Sequence, residues 1–338
     1  MTSEDVNVEH LLDVLTSIDP SSEVVWGTCS KFMDYLYWHK PRLIMLGPKI
    51  EALPDDHPFK PQCLFDLSRL FYSVGNSAEY KRLLAHSLKL SRERGDDSLV
   101  ALELRDLCRA NREMGLFTEG IQQIKEAIEI FERLGNTANQ AECLVGLAYV
   151  LCDDKQFDAA EEAAFCAIDL FPEEGKQFQA CLGHRALGNI YGSKGNTEKA
   201  IHHYEVALEI ASSLNVVDEL FWVHYALAQL FFGEDRFDDA HTHIENAKSH
   251  TIGGTYNLGR AMWQQAEFWY SQGVFEKARS GASHAVDIFE KLGAEQDLER
   301  CRVFLRQIDE ELNRPVVSDV DGEPLETPPL PACIDVPS

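Results

Sequence analysis

The chain repeats itself about every forty residues over most of its length. GNSAEYKRLLAHSLKLSRERGD from Gly75, GLFTEGIQQIKEAIEIFERLGN from Gly115 and GNTEKAIHHYEVALEIASSLNV from Gly195 share one pattern. KQFDAAEEAAFCAIDLFPEEGK from Lys155 and DRFDDAHTHIENAKSHTIGGT from Asp235 fit the same frame. A sixth copy, GVFEKARSGASHAVDIFEKLGA from Gly273, follows with its spacing shortened by two. Such a period means that one supersecondary unit is stacked on copies of itself, because a single unit cannot bury its apolar face alone.

The columns say what the unit is. Small residues recur at Ala160, Ala200, Ala240 and Ala278, and again seven residues later at Ala167, Ala207, Ala247 and Ala285, with Tyr80, Gly120, Ser87 and Ala127 in the first two copies. That spacing puts them on one helix face and lets a neighbouring helix come close. Upstream, Leu67, Leu107, Leu147, Leu187 and Leu227 recur forty apart, each followed by a small residue, so a second helix precedes the first in every copy. Glycines punctuate the pattern at Gly75, Gly115, Gly195 and Gly273 inside the unit, with Lys155 and Asp235 as exceptions. Gly95, Gly135, Gly175 and Gly293 close it, Asn215 standing in once, as left-handed caps require. No stretch alternates at period two, so the expectation is an all-α fold of helix–turn–helix units.

The columns match the tetratricopeptide pattern W-x2-L-G-x2-Y, then A-x3-F, then P. The fourth copy is nearest, with His184 in place of Trp, then Leu187, Gly188 and Tyr191, then Ala200, Tyr204 and Ala207; Phe171-Pro172 carries the terminal Pro of the third. A forty-residue period resembles the extended tetratricopeptide class of motor adaptors and polarity scaffolds. The run YWHKPRLIMLGPKIEALPDDHPFKPQCLFDLSRLFYSVGN, Tyr37 to Asn76, and its continuation resemble the region that joins the ATPase to the tetratricopeptide array in fungal NLR-like (STAND) signalling proteins, over about residues 24–312. That resemblance implies a sensor or regulatory arm. The chain has no GxxxxGK[ST] phosphate loop: Gly47-Pro48-Lys49 lacks the second glycine and the hydroxyl, so ATP switching is not implied.

The expected architecture is therefore a right-handed α-solenoid of six clear tetratricopeptide-like hairpins, with a divergent N-terminal unit and a C-terminal capping helix. Residues 1–61 form the divergent cap and a Pro-rich connection, two irregular helices in which Pro48 bends the second. Residues 62–294 carry the repeats. Residues 295–314 form the capping helix, with Leu298, Phe304, Leu305 and Ile308 toward the array and Arg300, Arg302 and Arg306 toward water. Residues 315–338, with six prolines and no Lys or Arg, have the composition of a disordered acidic tail.

Charge and chemistry narrow the function. With 56 acidic and 31 basic side chains the formal net charge is −25, which argues against nucleic acid and anionic membrane surfaces as partners. No apolar run approaches the ~18 residues that a membrane span needs. Met1-Thr2-Ser3-Glu4-Asp5 lacks the basic start of a secretory signal, and nine cysteines without a CxxC pair read as reduced thiols. The expectation is a cytoplasmic protein. There is no HExxH, GxSxG or dinucleotide motif, and no two of the twelve histidines lie three or four apart, so neither enzyme activity, a cofactor nor a metal site is expected.

What the tetratricopeptide resemblance implies instead is a concave groove lined by the first helix of each pair. Its columns fall on Phe65 and Arg69, Arg105 and Arg109, Val145 and Tyr149, Arg185 and Asn189, Tyr225 and Gln229, and Trp263 and Glu267. Trp222 and Arg260 should lie near the rim. Arg69, Arg105, Arg109 and Arg112 would form a basic patch suited to carboxylate or phosphate, unless each pairs with an acid such as Asp66 or Asp106. Trp222, Tyr225 and Trp263 would supply apolar anchors. The partner expected is a protein or peptide segment of acidic character. The carboxylate clamp of chaperone-docking domains would fall on Arg185, Asn189, Ala226, Arg260 and Gln264, of which Ala226 and Gln264 depart from it.

Overall fold

The computed structural model describes residues 16–17, 19, 22–36, 41–170, 177–251 and 256–314; the tail from Pro315, the Phe171-Pro172 pair, Gly175 and the first residues named above lie outside them. Among the described residues every regular element is helical. Two short helices, α1 (Glu23–Leu36) and α2 (Gly47–Ala52), flank a single 3-10 segment, Pro41–Leu46. Six hairpins follow: α3 (Lys60–Ser73) with α4 (Ser77–Arg94), α5 (Asp97–Glu113) with α6 (Phe117–Arg133), and α7 (Thr137–Asp153) with α8 (Phe157–Asp169). Then come α9 (Gln177–Ser193) with α10 (Thr197–Leu214), α11 (Val217–Gly233) with α12 (Phe237–Ser249), and α13 (Tyr256–Ser271) with α14 (Phe275–Leu292). A last helix, α15 (Glu295–Leu312), closes the array. The chain is an all-α solenoid.

The repeated columns are what packs. Leu67, Leu107, Leu147, Leu187 and Leu227 are all buried, and the alanines at 160, 200, 240 and 278 and at 127, 167, 207, 247 and 285 are wholly inaccessible. Between α9 and α10 the approach is so close that a Cβ on Gly188 would lie 2.5 Å from the Tyr204 ring, so only glycine fits that position of α9. The turn column inside each hairpin is left-handed throughout, and Lys155 and Asp235 adopt φ 60° and 57° where the other copies use glycine. Each helix start that has an Asx residue before it uses that side chain. Asn76, Asp96, Asn136 and Asn196 accept the backbone N–H three residues on, each cap being worth about 1 kcal/mol.

The apolar core runs without interruption from α5 to α13. A separate cluster ties Trp26, Cys29 and Met33 of α1 to Leu64 and Leu67 of α3, and Ser30 donates to the buried Asp66 at 2.5 Å. Pro48 does not bend a helix: it sits in the first turn of α2, where a missing N–H costs nothing. Phe65, read as a groove residue, is buried with Tyr80, Leu84 and Leu107 instead. At the other end Leu298, Cys301 and Ile308 of α15 are buried while Arg302 and Arg306 face outward.

Candidate functional site

The first helices of all six hairpins surround one cavity of about 1190 Å³. Arg69 reaches it from α3, and Arg105, Arg109 and Arg112 from α5. Tyr149 comes from α7, Arg185 and Asn189 from α9, Trp222, Tyr225 and Gln229 from α11, and Arg260 and Trp263 from α13. The structure thus brings every groove residue proposed from the sequence, apart from Phe65, to one lining. It also adds residues that the repeat columns miss.

Chief among these is a junction between the two ends of the array. The hairpin turn of the first repeat abuts the N-terminus of α15: a Cβ on Gly75 would lie 3.3 Å from Asp297 Oδ2. With its amide oriented to suit its neighbours, Gln296 donates to the Gly75 carbonyl oxygen at 2.7 Å. Tyr256 of α13 donates to Asp297 at 2.6 Å. Arg300 is exposed, as expected, at the mouth of the cavity and lies 3.7 Å from Asp297. The groove is therefore closed into a ring at this point, with Tyr72 of α3 under the influence of both Arg109 and Arg260.

The arginines converge, but they do not form a bare basic patch. Arg105 pairs with Glu142 at 2.6 Å, Arg109 with Asp106 at 3.1 Å, Arg112 with Asp153 at 3.3 Å and Arg185 with Glu219 at 2.7 Å. Burial alone would raise the Asp106 carboxyl; Arg109 and Arg105 outweigh it and hold the group below the usual carboxylate range. Tyr80 donates to the Asp106 carbonyl oxygen at 3.0 Å and accepts from Arg109 at 2.8 Å, completing a buried network. Arg109 also stacks over Tyr72, 4.2 Å from the ring centroid. Two of the clamp positions are similarly engaged: Arg185 through Glu219, and Asn189, which accepts the Tyr204 hydroxyl at 2.5 Å.

The wall built by α11 and α13 is different. Arg260 lies over the rings of Trp222 and Tyr225, 5.3 and 5.5 Å from their centroids, and among the described residues it has no carboxylate within ion-pairing distance. Gln264 is only 4% exposed, yet its Oε1 has no hydrogen-bond partner, and neither has Trp263 Nε1 or, across the cavity, the Tyr149 hydroxyl. Glu267 faces the same cavity and burial pushes its carboxyl up to about 7. Leaving buried polar atoms unpaired costs about 1–3 kcal/mol each. Arg109 Nε on α5 is unpartnered too, but its guanidinium is ion-paired to Asp106, whereas among the described residues no ion pair joins the α13 residues that line the cavity.

Away from the cavity, two histidine pairs recur forty residues apart: His184 and His203 face each other with Nδ1 atoms 3.0 Å apart, as do His224 and His243. Burial lowers all four, His203 and His224 to about 4, so they are neutral packing groups at pH 7. The described residues contain no group of three or more His, Cys, Asp or Glu able to hold a metal ion. Nor do they contain a helix long and apolar enough to cross a membrane.

No protein-family model matches the chain, and no curated protein resembles it in sequence. Solved structures do resemble it in fold. A Rap protein complexed with competence and sporulation factor superposes with a TM-score of 0.57 at 13% identity, over 81% of each chain. The Rap conjugation gene regulator of plasmid pLS20, in complex with the Phr* peptide, gives 0.54 at 13% identity, over 86% of this chain and 74% of that one. Aspartyl phosphate phosphatase F from Bacillus subtilis gives 0.53 at 12% identity, over 97% and 98%. At these identities the likeness is one of fold: a tetratricopeptide-like helical solenoid.

Proposed function

We propose that this chain is a non-enzymatic interaction protein that takes an extended peptide, free or as a segment of a partner protein, into the ring-shaped cavity of its solenoid. The observation that carries this reading is the single cavity of about 1190 Å³, faced by every hairpin and holding unpartnered buried atoms of Tyr149, Trp263 and Gln264. A backbone of alternating N–H and C=O groups is the ligand whose chemistry answers scattered orphan donors and acceptors. The aromatic rings of Trp222, Tyr225 and Trp263 supply rigid apolar contact beside them. Two of the solved structures of similar fold were determined with a peptide or competence factor bound, which supports a peptide here.

Because Arg105, Arg109, Arg112 and Arg185 already have acidic partners, a purely acidic ligand gains less from this wall than the arginine columns implied. The phosphatase name of one structural neighbour stays with that protein. Nothing in the comparisons favours the fungal STAND arm, and the binding reading stands without it.

The test is retention of a random hexapeptide library by the immobilised full chain. Wild type should retain a subset above a no-protein control. Ala226→Trp, which fills the cavity from α11, should lower retention at least tenfold while circular dichroism and melting temperature stay unchanged. No retention by wild type, or equal retention by a folded Ala226→Trp protein, overturns the reading.

A further inference from the structure

One face of α13 carries Arg260, then Trp263 and Gln264, then Glu267, all lining the cavity. At 1.5 Å per residue the first and last of these stand about 10 Å apart along the helix. Neither end has an opposite charge within ion-pairing distance among the described residues; Asp297 acts on Arg260 only from further off. Arg260 rests on aromatic faces, and Glu267 makes no hydrogen bond or ion pair among the described residues. Between them sit one unpartnered donor, Trp263 Nε1, and one unpartnered acceptor, Gln264 Oε1. The order along the helix is cation, donor, acceptor, anion.

Resting on the peptide-binding function just proposed, we infer that this face reads a mixed-charge motif: an acidic group of the ligand at Arg260 and a basic group, about three residues away along an extended backbone, at Glu267. An extended chain advances about 3.3–3.6 Å per residue, so three residues cover the ~10 Å between the two charges. The backbone between them offers a C=O to the Trp263 N–H and an N–H to the Gln264 oxygen. Arg suits a carboxylate because its fork can bind both oxygens. A Lys or Arg of the ligand gives Glu267 the partner that the fold withholds, which relieves the cost of keeping a lone carboxylate out of water. On α5 single atoms such as Arg109 Nε are also unpartnered, but each arginine named in the cavity has its acid, so no cation there waits for an opposite charge.

The same hexapeptide library distinguishes this inference from the function beneath it. Peptides retained by wild type should be enriched in an acidic and a basic residue two or three positions apart, and sequencing the bound pool reads that directly. Glu267→Gln should lose the basic enrichment and keep the acidic one. Arg260→Met should do the reverse. Gln264→Glu, which adds a second carboxylate beside the first, should strengthen the basic enrichment, so the case does not depend on loss of function alone. Retained peptides with no charge pairing, or with the same pairing in wild type and Glu267→Gln, overturn this inference and leave the function standing. No retained peptides at all overturn both.

Discussion

The α5 and α13 walls face one cavity with similar residue types and opposite bookkeeping. On α5 each arginine is answered by an acid: Asp106 serves Arg105 and Arg109, Glu142 completes Arg105, Asp153 meets Arg112, and Tyr80 bridges to Arg109. On α13 Arg260, Trp263, Gln264 and Glu267 are left with aromatic faces or nothing. A satisfied network rigidifies the scaffold, whereas unsatisfied groups lower its stability and reserve interaction energy for a ligand. The arginines that look most like a binding site in the sequence are thus tied into the scaffold, and the binding chemistry we propose lies two hairpins of the ring away from them.

The largest way to break this contrast is Asp106→Asn. Asp106 is 2% exposed and its loss leaves Arg109 without an acid. Removing one partner of a buried pair costs about 3–5 kcal/mol, and water in the cavity puts this case at the low end, about 3 kcal/mol by urea denaturation. The folded-state carboxyl is held below its ordinary value, so this stability is present above the unfolded value near 4 and is lost as pH falls through the folded one. A variant as stable as wild type at pH 7 would show that the α5 network does not brace the fold.

Glu267→Gln is expected to go the other way. Its carboxyl is raised to about 7 by burial, so between about 4.5 and 7 the unfolded state gives up its proton first and stability falls as pH rises. Tyr225 and Cys301 are the titrating groups that sense it, from α11 and α15; both stay protonated in this window, so neither masks the slope. Replacing it should stabilise the protein by about 2 kcal/mol at pH 8, after allowance for the open cavity, and by nothing at pH 4. Glu103 of α5, raised to about 8 by burial and held by Ser87 and Ser91, has the same sign and will remain in both proteins. Melting curves at the two pH values read the difference.

How far the sequence reveals this division depends on what sets each part. Helix positions, hairpin turns and close-packed columns are set within forty residues by small side chains and left-handed turn residues; the pattern marks Gly188 as a small-residue position, and the structure shows that the Tyr204 ring is what presses on it. The cavity lining was legible for the same reason, because the repeat fixes which side of each first helix turns inward. Which arginine is paired is another matter. The Arg105–Glu142, Arg112–Asp153 and Arg185–Glu219 pairs join helices about one repeat apart through side-chain rotamers, and no column records those. The ring closure at Gly75 and Gln296 is further still from sight, since it joins the first hairpin to the last helix and depends on the accumulated superhelical curvature. Only the one-turn spacing of Tyr256 before Arg260, and of Tyr72 after Arg69, could have hinted that both ends send an extra aromatic inward.

A pair of tyrosine-to-phenylalanine changes sharpens the comparison at smaller scale. Tyr80 donates to a backbone oxygen and accepts from Arg109, so Tyr80→Phe should cost about 1–2 kcal/mol, as hydrogen bonds to charged groups do. The Tyr149 hydroxyl, also cavity-facing, has no hydrogen-bond partner among the described residues, so Tyr149→Phe should cost no stability and add about 1 kcal/mol, the loss of the hydroxyl being read in peptide retention. Equal costs at the two sites would mean that the α7 hydroxyl is satisfied in the resting protein and is not held open for a ligand.

The smallest expected effect lies at the closure itself. Gln296→Ala removes one amide hydrogen bond to the Gly75 carbonyl, worth about 1 kcal/mol or less at a junction open to water. Its consequence for shape should exceed its consequence for stability, because Tyr256–Asp297 belongs to the C-terminal half alone and does not bridge the gap. Hydrogen exchange should therefore quicken at the Val74–Ser77 turn and at the start of α15 while α7 and α9 keep their protection. If exchange is unchanged at both ends, packing of Gly75 against Asp297 holds the ring shut without the amide; if it quickens uniformly, the closure is a keystone of the whole array and the two walls cannot be treated as separate.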